Sequence, residues 1–181
     1  FPSMKSAILV TGGTGYIGSH ACVELLAAGC DIDVLDNFCN SRGSVQGRIE
    51  RIAGKGITLH EGDIRDRAFL DGVFATRQFD AVVHFAGLKA VGESIEKPEL
   101  YFDNNLRGSA TLLAAMQEAG VRRIVFSSSA TVYGETNTPP FTEDAAPDPV
   151  NPYGQNKLAV ERMLDEHARR HEGWRVALLR Y

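Results

Sequence analysis

Cysteine is scarce in this chain and does not pair. Cys22, Cys30 and Cys39 are the only three, an odd and sparse set that excludes a disulfide framework and points to a reducing compartment, the cytoplasm. Long hydrophobic runs are missing. None approaches the ~20 residues of a membrane helix, and Ala7–Val10 is too short for a signal-peptide core. There is no excess of positive charge. Lys and Arg total 19 against 23 Asp and Glu, a net charge of −4, which speaks against general nucleic-acid binding. Metal-ligand patterns are nearly absent. His167 and His171 can share a helix face, but Ala168 stands where a His-Glu-x-x-His site has glutamate. Glu166, Arg169, Arg170 and Glu172 around them mark a solvated face, so no metal is expected.

With 44% hydrophobic and 23% charged residues, the chain has enough apolar content to fold, and 181 residues suit one domain. Phe1-Pro2-Ser3, ahead of Met4, read as a cloning remnant, leaving residues 4–181 as the domain. Arg175–Tyr181 reads as a strand with no turn after it, as in a piece of a longer chain. Short apolar runs alternate with longer helical patterns. Strands are expected at Ala7–Thr11, Ile32–Asp36, Ile57–Glu61, Ala81–Phe85, Ile124–Ser128 and Val176–Arg180. Helices are expected at Tyr16–Ala28, Ser44–Ala53, Arg67–Ala75, Pro98–Ala119 and Pro152–Arg170. Continuous apolar strands belong to parallel sheets covered on both faces. The alternation predicts an α/β, Rossmann-like, doubly wound parallel sheet flanked by helices. Ligands of such sheets bind at the carboxyl ends of the strands.

The first strand runs directly into Gly12-Gly13-Thr14-Gly15-Tyr16-Ile17-Gly18. Gly13, Gly15 and Gly18 fit G-x-G-x-x-G, while Gly12, Gly15 and Gly18 fit G-x-x-G-x-x-G. In the strand–turn–helix context either pattern reads as a dinucleotide cradle: tight turn, bare backbone for a pyrophosphate, and a helix N-terminus aimed at it. No Gly-Lys-Ser/Thr follows, which excludes a P-loop. Asp36 ends the second strand, where a carboxylate bonds the adenosine ribose 2′-hydroxyl and repels a 2′-phosphate. NAD is therefore expected over NADP, although Arg42 lies in the following loop. Asp63, after the third strand, sits at the end where adenine would lie. Ala86-Gly87 would let the chain pass close to a cofactor.

A second constellation lies further on. Ser127-Ser128-Ser129 closes the fifth strand, and Asn151-Pro152 can cap and open the last helix. Tyr153 and Lys157 then share one face. Of five tyrosines, only Tyr153 has a lysine four residues on. A nearby ammonium, with a cationic nicotinamide ring, would lower the tyrosine pKa from its usual value and make it a general base. Ser129 can hold the same substrate hydroxyl.

These motifs resemble the extended short-chain dehydrogenase/reductase family, and more narrowly its epimerases acting at carbon 4 of UDP-hexoses. The likeness is carried by TGGTGYIGSH (Thr11–His20), LDNFCNS (Leu35–Ser41), EGDIRD (Glu61–Asp66), HFAGLKAVGES (His84–Ser94), DNN (Asp103–Asn105), FSSSATVYG (Phe126–Gly134) and NPYGQNK (Asn151–Lys157). It implies that NAD is touched by Tyr16, Ile17, Asp36, Asn37, Phe38, Cys39, Asn40, Ser41, Asp63 and Ile64. Phe85, Ala86, Gly87, Leu88, Lys89, Asn104, Tyr153 and Lys157 complete the implied set. It implies that Lys89, Ser129 and Tyr153 meet the sugar of UDP-glucose or UDP-galactose. The implied reaction oxidises carbon 4, turns the keto sugar over and returns the hydride to its other face. The resemblance further implies a C-terminal lobe that grips UDP, absent from this chain, and a homodimer through helices 98–119 and 152–170. Leu106, Leu113 and Met116 form an apolar set that could serve both core and partner. Sister 4,6-dehydratases carry Asp-Glu where Ala130-Thr131 stand here, so the acid for water elimination is missing. Two other readings stay open: an epimerase for another nucleotide sugar such as a UDP-hexuronate, and a non-catalytic NAD-sensing module.

Overall fold

The computed structural model describes residues 5–181, so the reading of Phe1–Ser3 as a cloning remnant lies outside the described residues. Strands β1 (Ala7–Thr11), β2 (Asp31–Asp36), β3 (Thr58–Glu61), β4 (Ala81–His84), β5 (Arg123–Ser127) and β6 (Arg175–Leu179) form one sheet in the order β3-β2-β1-β4-β5-β6. Every pairing is parallel. The order reverses between β1 and β4, where Thr11 faces Leu35 on one side and His84 on the other. At such a switch point the crossover helices part to opposite faces and leave a crevice above the strand ends.

Helices α1 (Tyr16–Ala27), α2 (Val45–Ala53), α3 (Arg67–Thr76), α6 (Gly108–Ala119) and α7 (Pro152–Arg170) cover the sheet. Between them lie the short α4 (Val91–Glu96) and α5 (Pro98–Tyr101). Leu9 enters one core layer with Leu70, Leu112, Met116 and Leu164. Its neighbours Ile8 and Val10 enter the opposite layer with Cys22, Leu26 and Ile49. Burial on both faces explains why the inner strands read as unbroken apolar runs.

The edges depart from that expectation. β3 is Thr-Leu-His-Glu and half exposed, and β6 alternates, with Val176 and Leu178 turned to the core. An edge strand is covered less completely, so its sequence is freer. The expected single helix over Pro98–Ala119 is broken into α5, a π-helical turn at Phe102–Arg107, and α6. Asn104 and Asn105, in that turn, are both buried. Leu113 and Met116 are buried in the core and Leu106 packs against it. Leu113 and Met116 are thus taken up by the core and not left for a partner, while Leu106 stays half-buried.

Candidate active site

The cleft at the switch point is floored by backbone. Gly12 has φ +69, and a Cβ on it would stand 2.5 Å from the backbone nitrogen of Ala86. A Cβ on Gly18 would strike the Gly12 carbonyl. Gly13 serves packing instead. Its Cβ would meet Val34 Cγ1 at 2.7 Å, so this glycine lets α1 pack on β2. Gly15 sits extended at the start of α1, which has no side-chain cap and no acidic residue in its first turn. Its open N–H groups and positive dipole end therefore face the cleft, and together with the glycine floor they fit a diphosphate.

Asp36 is buried, and its carboxylate accepts from Thr14 N–H (3.1 Å), Phe38 N–H (2.9 Å) and Ser41 Oγ (3.0 Å). It thus shapes the loop after β2 while lining the cleft with Asn37, Cys39, Asn40 and Ser41. Phe38 and Asp63 lie outside that lining. Phe38 holds φ 57, with its ring against Gly43. Asp63 accepts from Asn37 Nδ2 (2.9 Å) and Arg65 Nη2 (2.7 Å), and the guanidinium holds its carboxyl down at about 2. Ile64 reaches the cleft, seated over Gly108, where a Cβ would collide with it at 2.8 Å.

At the other end, Phe85, Ala86, Gly87, Lys89 and Asn104 meet Ser129, Tyr153 and Lys157. Leu88 instead packs beneath the cleft against Tyr101 and Tyr153. Asn151 Oδ1 caps α7 through Gly154 N–H (2.8 Å), with Pro152 in the first turn. That start turns Tyr153 and Lys157 together toward the serines. The Lys157 ammonium donates to Ser127 O (2.8 Å) and lies 5.8 Å from the Tyr153 ring centroid. Burial lowers Lys157 to about 8. Burial also raises Tyr153, opposed by a hydrogen bond with Ser129. The expected lowering of the tyrosine is therefore not a property of the chain alone; the cost of desolvating a phenolate outweighs it. Ser129 Oγ accepts from Thr131 N–H (3.2 Å) and Thr131 Oγ1–H (3.0 Å). Its own hydrogen is left to donate toward Tyr153.

Several residues here were not assigned from sequence. His84 is fully buried, and burial with the Lys157 charge pushes it down to about 3. Ser109 Oγ donates to Asn105 O (2.5 Å), so it accepts from His84 Nε2–H (2.9 Å), and His84 Nδ1 accepts from Thr11 Oγ1–H (2.6 Å). The neutral ring thus has one defined tautomer. The Asn105 amide holds both Leu88 N–H (2.8 Å) and Leu88 O (2.9 Å), pinning the loop after β4. Tyr181 lines the cleft and bonds Ser127 Oγ. Glu161 accepts from Ser128 Oγ. Glu161 follows Tyr153 and Lys157 at helical spacing, a signal present in the sequence; the contacts of His84 and Asn105 require the fold. His167 and His171 stack at 4.1 Å between ring centroids, and His167 bonds Gln117 (3.2 Å).

A diphosphate laid along bare backbone toward a buried Tyr–Lys pair is the demand of one ligand class. The fold and the glycine-floored cleft are those of a Rossmann-type dinucleotide-binding protein. More particularly, the chain belongs to the NAD dependent epimerase/dehydratase family, whose model matches residues 8–181. It is 56% identical over 176 residues to a UDP-glucose 4-epimerase of Bacillus subtilis, covering 97% of this chain and 52% of that protein. It is similar to the UDP-glucose-4-epimerase of Stenotrophomonas maltophila solved with NAD and formylated UDP-arabinopyranose (TM-score 0.94, 49% identity, 97% and 52% coverage). The Bifidobacterium longum UDP-glucose 4-epimerase with NAD+ and UDP matches likewise (TM-score 0.95, 45% identity, 97% and 53% coverage). The chain spans about half the length of the relatives it matches. No helix among the described residues is long and apolar enough to cross a membrane.

Proposed function

We propose that this chain is the cofactor-holding and proton-transferring part of an epimerase at carbon 4 of UDP-hexoses, interconverting UDP-glucose and UDP-galactose. The observation that carries the reading is the convergence of Ser129, Tyr153 and Lys157 at one end of a glycine-floored cleft. The names of the relatives and the UDP ligands in their structures support the substrate class. NAD would be held by Gly12, Gly15 and the start of α1 at its pyrophosphate, by Asp36 at its adenosine ribose, and beside Tyr153 and Lys157 at its nicotinamide end. When bound, NAD accepts the hydride of carbon 4 and returns it.

The chain's own residues manage the proton and the pose. Tyr153 Oη takes the proton of the 4-hydroxyl and later restores it. Ser129, its lone pairs committed to Thr131, donates to the same oxygen centre and fixes its direction. Lys157 stabilises the phenolate from the far side of the ring. Lys89, lining the cleft, is placed for the sugar. Ala130 and Thr131 supply no carboxylic acid, which favours epimerisation over dehydration. The grip on UDP falls to the half of the relatives' length that this chain does not span. We place the enzyme in the cytoplasm, in keeping with three free cysteines, and as a homodimer through the segments 98–119 and 152–170. There Leu100 and Phe102 are the exposed large apolar residues.

The test has two arms. Purified chain, denatured, should release NAD; NADP as the dominant nucleotide would overturn the role given to Asp36. A chain of the relatives' full length carrying this sequence should convert UDP-galactose to UDP-glucose and sediment as a dimer. No conversion by the NAD-loaded protein would overturn the reaction, and a strict monomer would overturn the association.

A further inference from the structure

Three residues of α7, spaced one turn apart, each engage one of the three serines that close β5. Tyr153 lines the cleft beside Ser129. Lys157 Nζ donates to Ser127 O at 2.8 Å. Glu161 accepts from Ser128 Oγ. The first two belong to the proposed chemistry; the third has no part in it. Yet Glu161 is only 3% exposed, a poor place for a carboxylate without a reason. Its charge is met by Arg180, which follows β6: Nε reaches both carboxylate oxygens (3.0 and 3.2 Å) and Nη2 reaches Oε2 at 2.6 Å. Arg180 also donates to Tyr133 Oη (3.1 Å) and lies 5.0 Å from that ring's centroid. The next residue, Tyr181, bonds Ser127 and lines the cleft.

We infer that Glu161 is a positioning residue: it ties Ser128 to α7 and, by neutralising Arg180, keeps that cation's field from acting on Tyr153. The inference rests on the reading of Tyr153 as the base. With a helical rise of about 1.5 Å per residue, Glu161 lies about 6 Å along α7 from Lys157 and about 12 Å from Tyr153. Charges at that range still act in a buried site. The other groups facing Tyr153 are His84 of β4, held neutral, Lys89 after β4, Tyr101 of α5 with Glu93 of α4 bonded to it, and Tyr181. Lys157, held at about 8 by burial, has already lost its charge where a raised Tyr153 titrates. An unbalanced Arg180 would therefore be a cation at that pH, favouring the phenolate.

The test is a titration of the Tyr153 ring in the 181-residue chain. Nuclear magnetic resonance of Cζ-labelled tyrosine gives the signal, which is assigned by its loss in Tyr153→Phe. Glu161→Gln keeps the side-chain shape and removes the charge. Its Tyr153 titration should fall by about one pH unit at an effective dielectric of about 20. Glu161→Gln combined with Arg180→Met should return it to within about half a unit of the parent. A folded Glu161→Gln chain with an unmoved or raised titration would overturn the inference, as would a double variant that shifts as far as the single one. If Glu161→Gln alone does not fold, Arg180→Met decides: its Tyr153 titration should rise, because the Glu161 carboxylate is left unbalanced, and a fall or no change would overturn the inference. Packing alone would lower thermal stability in all three and move the titration in none. No sugar is present, so the outcome is independent of whether the substrate is a UDP-hexose.

Discussion

The two ends of the cleft recognise by opposite means. At the nucleotide end the working surface is backbone: Gly12 and Gly18 leave no room for a Cβ, and the flanking Asn37, Cys39 and Asn40 are exposed. At the chemical end the working parts are buried side chains, with Lys157, His84, Glu161 and Tyr153 all nearly removed from water. The first end acts by leaving space and presenting fixed N–H dipoles. The second holds Lys157, His84 and Tyr153 away from their ordinary pKa values, which is the usual condition of groups that move protons. Adding atoms should damage the first, and removing atoms or charge should damage the second.

The sharpest break in that comparison is Gly12→Ala. The left-handed φ and the collision with Ala86 backbone both resist a methyl group, since neither partner is a flexible side chain tip. We expect a loss of about 2–4 kcal/mol of stability. Nucleotide retention should fall at least a hundredfold by isothermal titration. Retention of NAD by a folded Gly12→Ala chain would show that the close approach is unimportant.

Tyr153→Phe removes a single oxygen at the other end. Ring packing against Leu88 and Tyr101 is kept, so cofactor content should be unchanged. Turnover of UDP-galactose in the full-length form should fall by about 10²–10⁴, the usual share of general acid–base catalysis. Near-normal turnover with NAD bound would move the base elsewhere.

How much of this contrast could be read beforehand also divides along the cleft. The nucleotide end was legible because glycine spacing after a strand is a local code: Gly12, Gly15, Gly18 and Asp36 sit within one strand–helix–strand unit. Even there, the glycine pattern could not tell Gly13, a packing residue, from Gly12, a floor residue. The Tyr153–Lys157 pair was legible for the same local reason. The partners that set its electrostatics come from β4, the π-helical turn and β6, far apart in sequence, and no spacing announces them. Asn104 and Asn105 show the limit well: both are buried in the π-helical turn, and a 3.6-residue periodicity carries no signal that separates such a turn from the α-helix on either side. Phe38 and Leu88 were implied at the cofactor by a motif; their side chains turn to Gly43 and to Tyr101.

Lys157→Met separates function from stability at the chemical end. Burial holds the folded-state lysine at about 8, below its ordinary 10.5. Between those values the unfolded chain binds the proton and the folded chain does not. Stability of the cofactor-free chain therefore rises with pH through that window, by up to about 3 kcal/mol for this group, and the buried ammonium is a burden below it. The methionine variant should lose this rise and be no less stable at pH 7 by denaturant titration. Its turnover should fall on the order of 10- to 100-fold at pH 7 and recover toward higher pH, because the phenolate has lost its cation. Equal loss at every pH would reduce Lys157 to a tether.

Ser129→Ala should have the smallest effect. The hydroxyl accepts twice from Thr131 and spends its single hydrogen on the Tyr153 side. That hydrogen bond opposes the effect of burial on the tyrosine. Its removal should raise the Tyr153 pKa and move the acid limb of the kcat profile upward. One neutral hydrogen bond contributes about 1 kcal/mol, or roughly fivefold at neutral pH. The backbone N–H of Thr131 loses its acceptor as well, so a small drop in thermal stability should accompany the change. A stability drop with an unshifted limb would make Ser129 part of the scaffold, and the chemical end would then rest on Tyr153 and Lys157 alone.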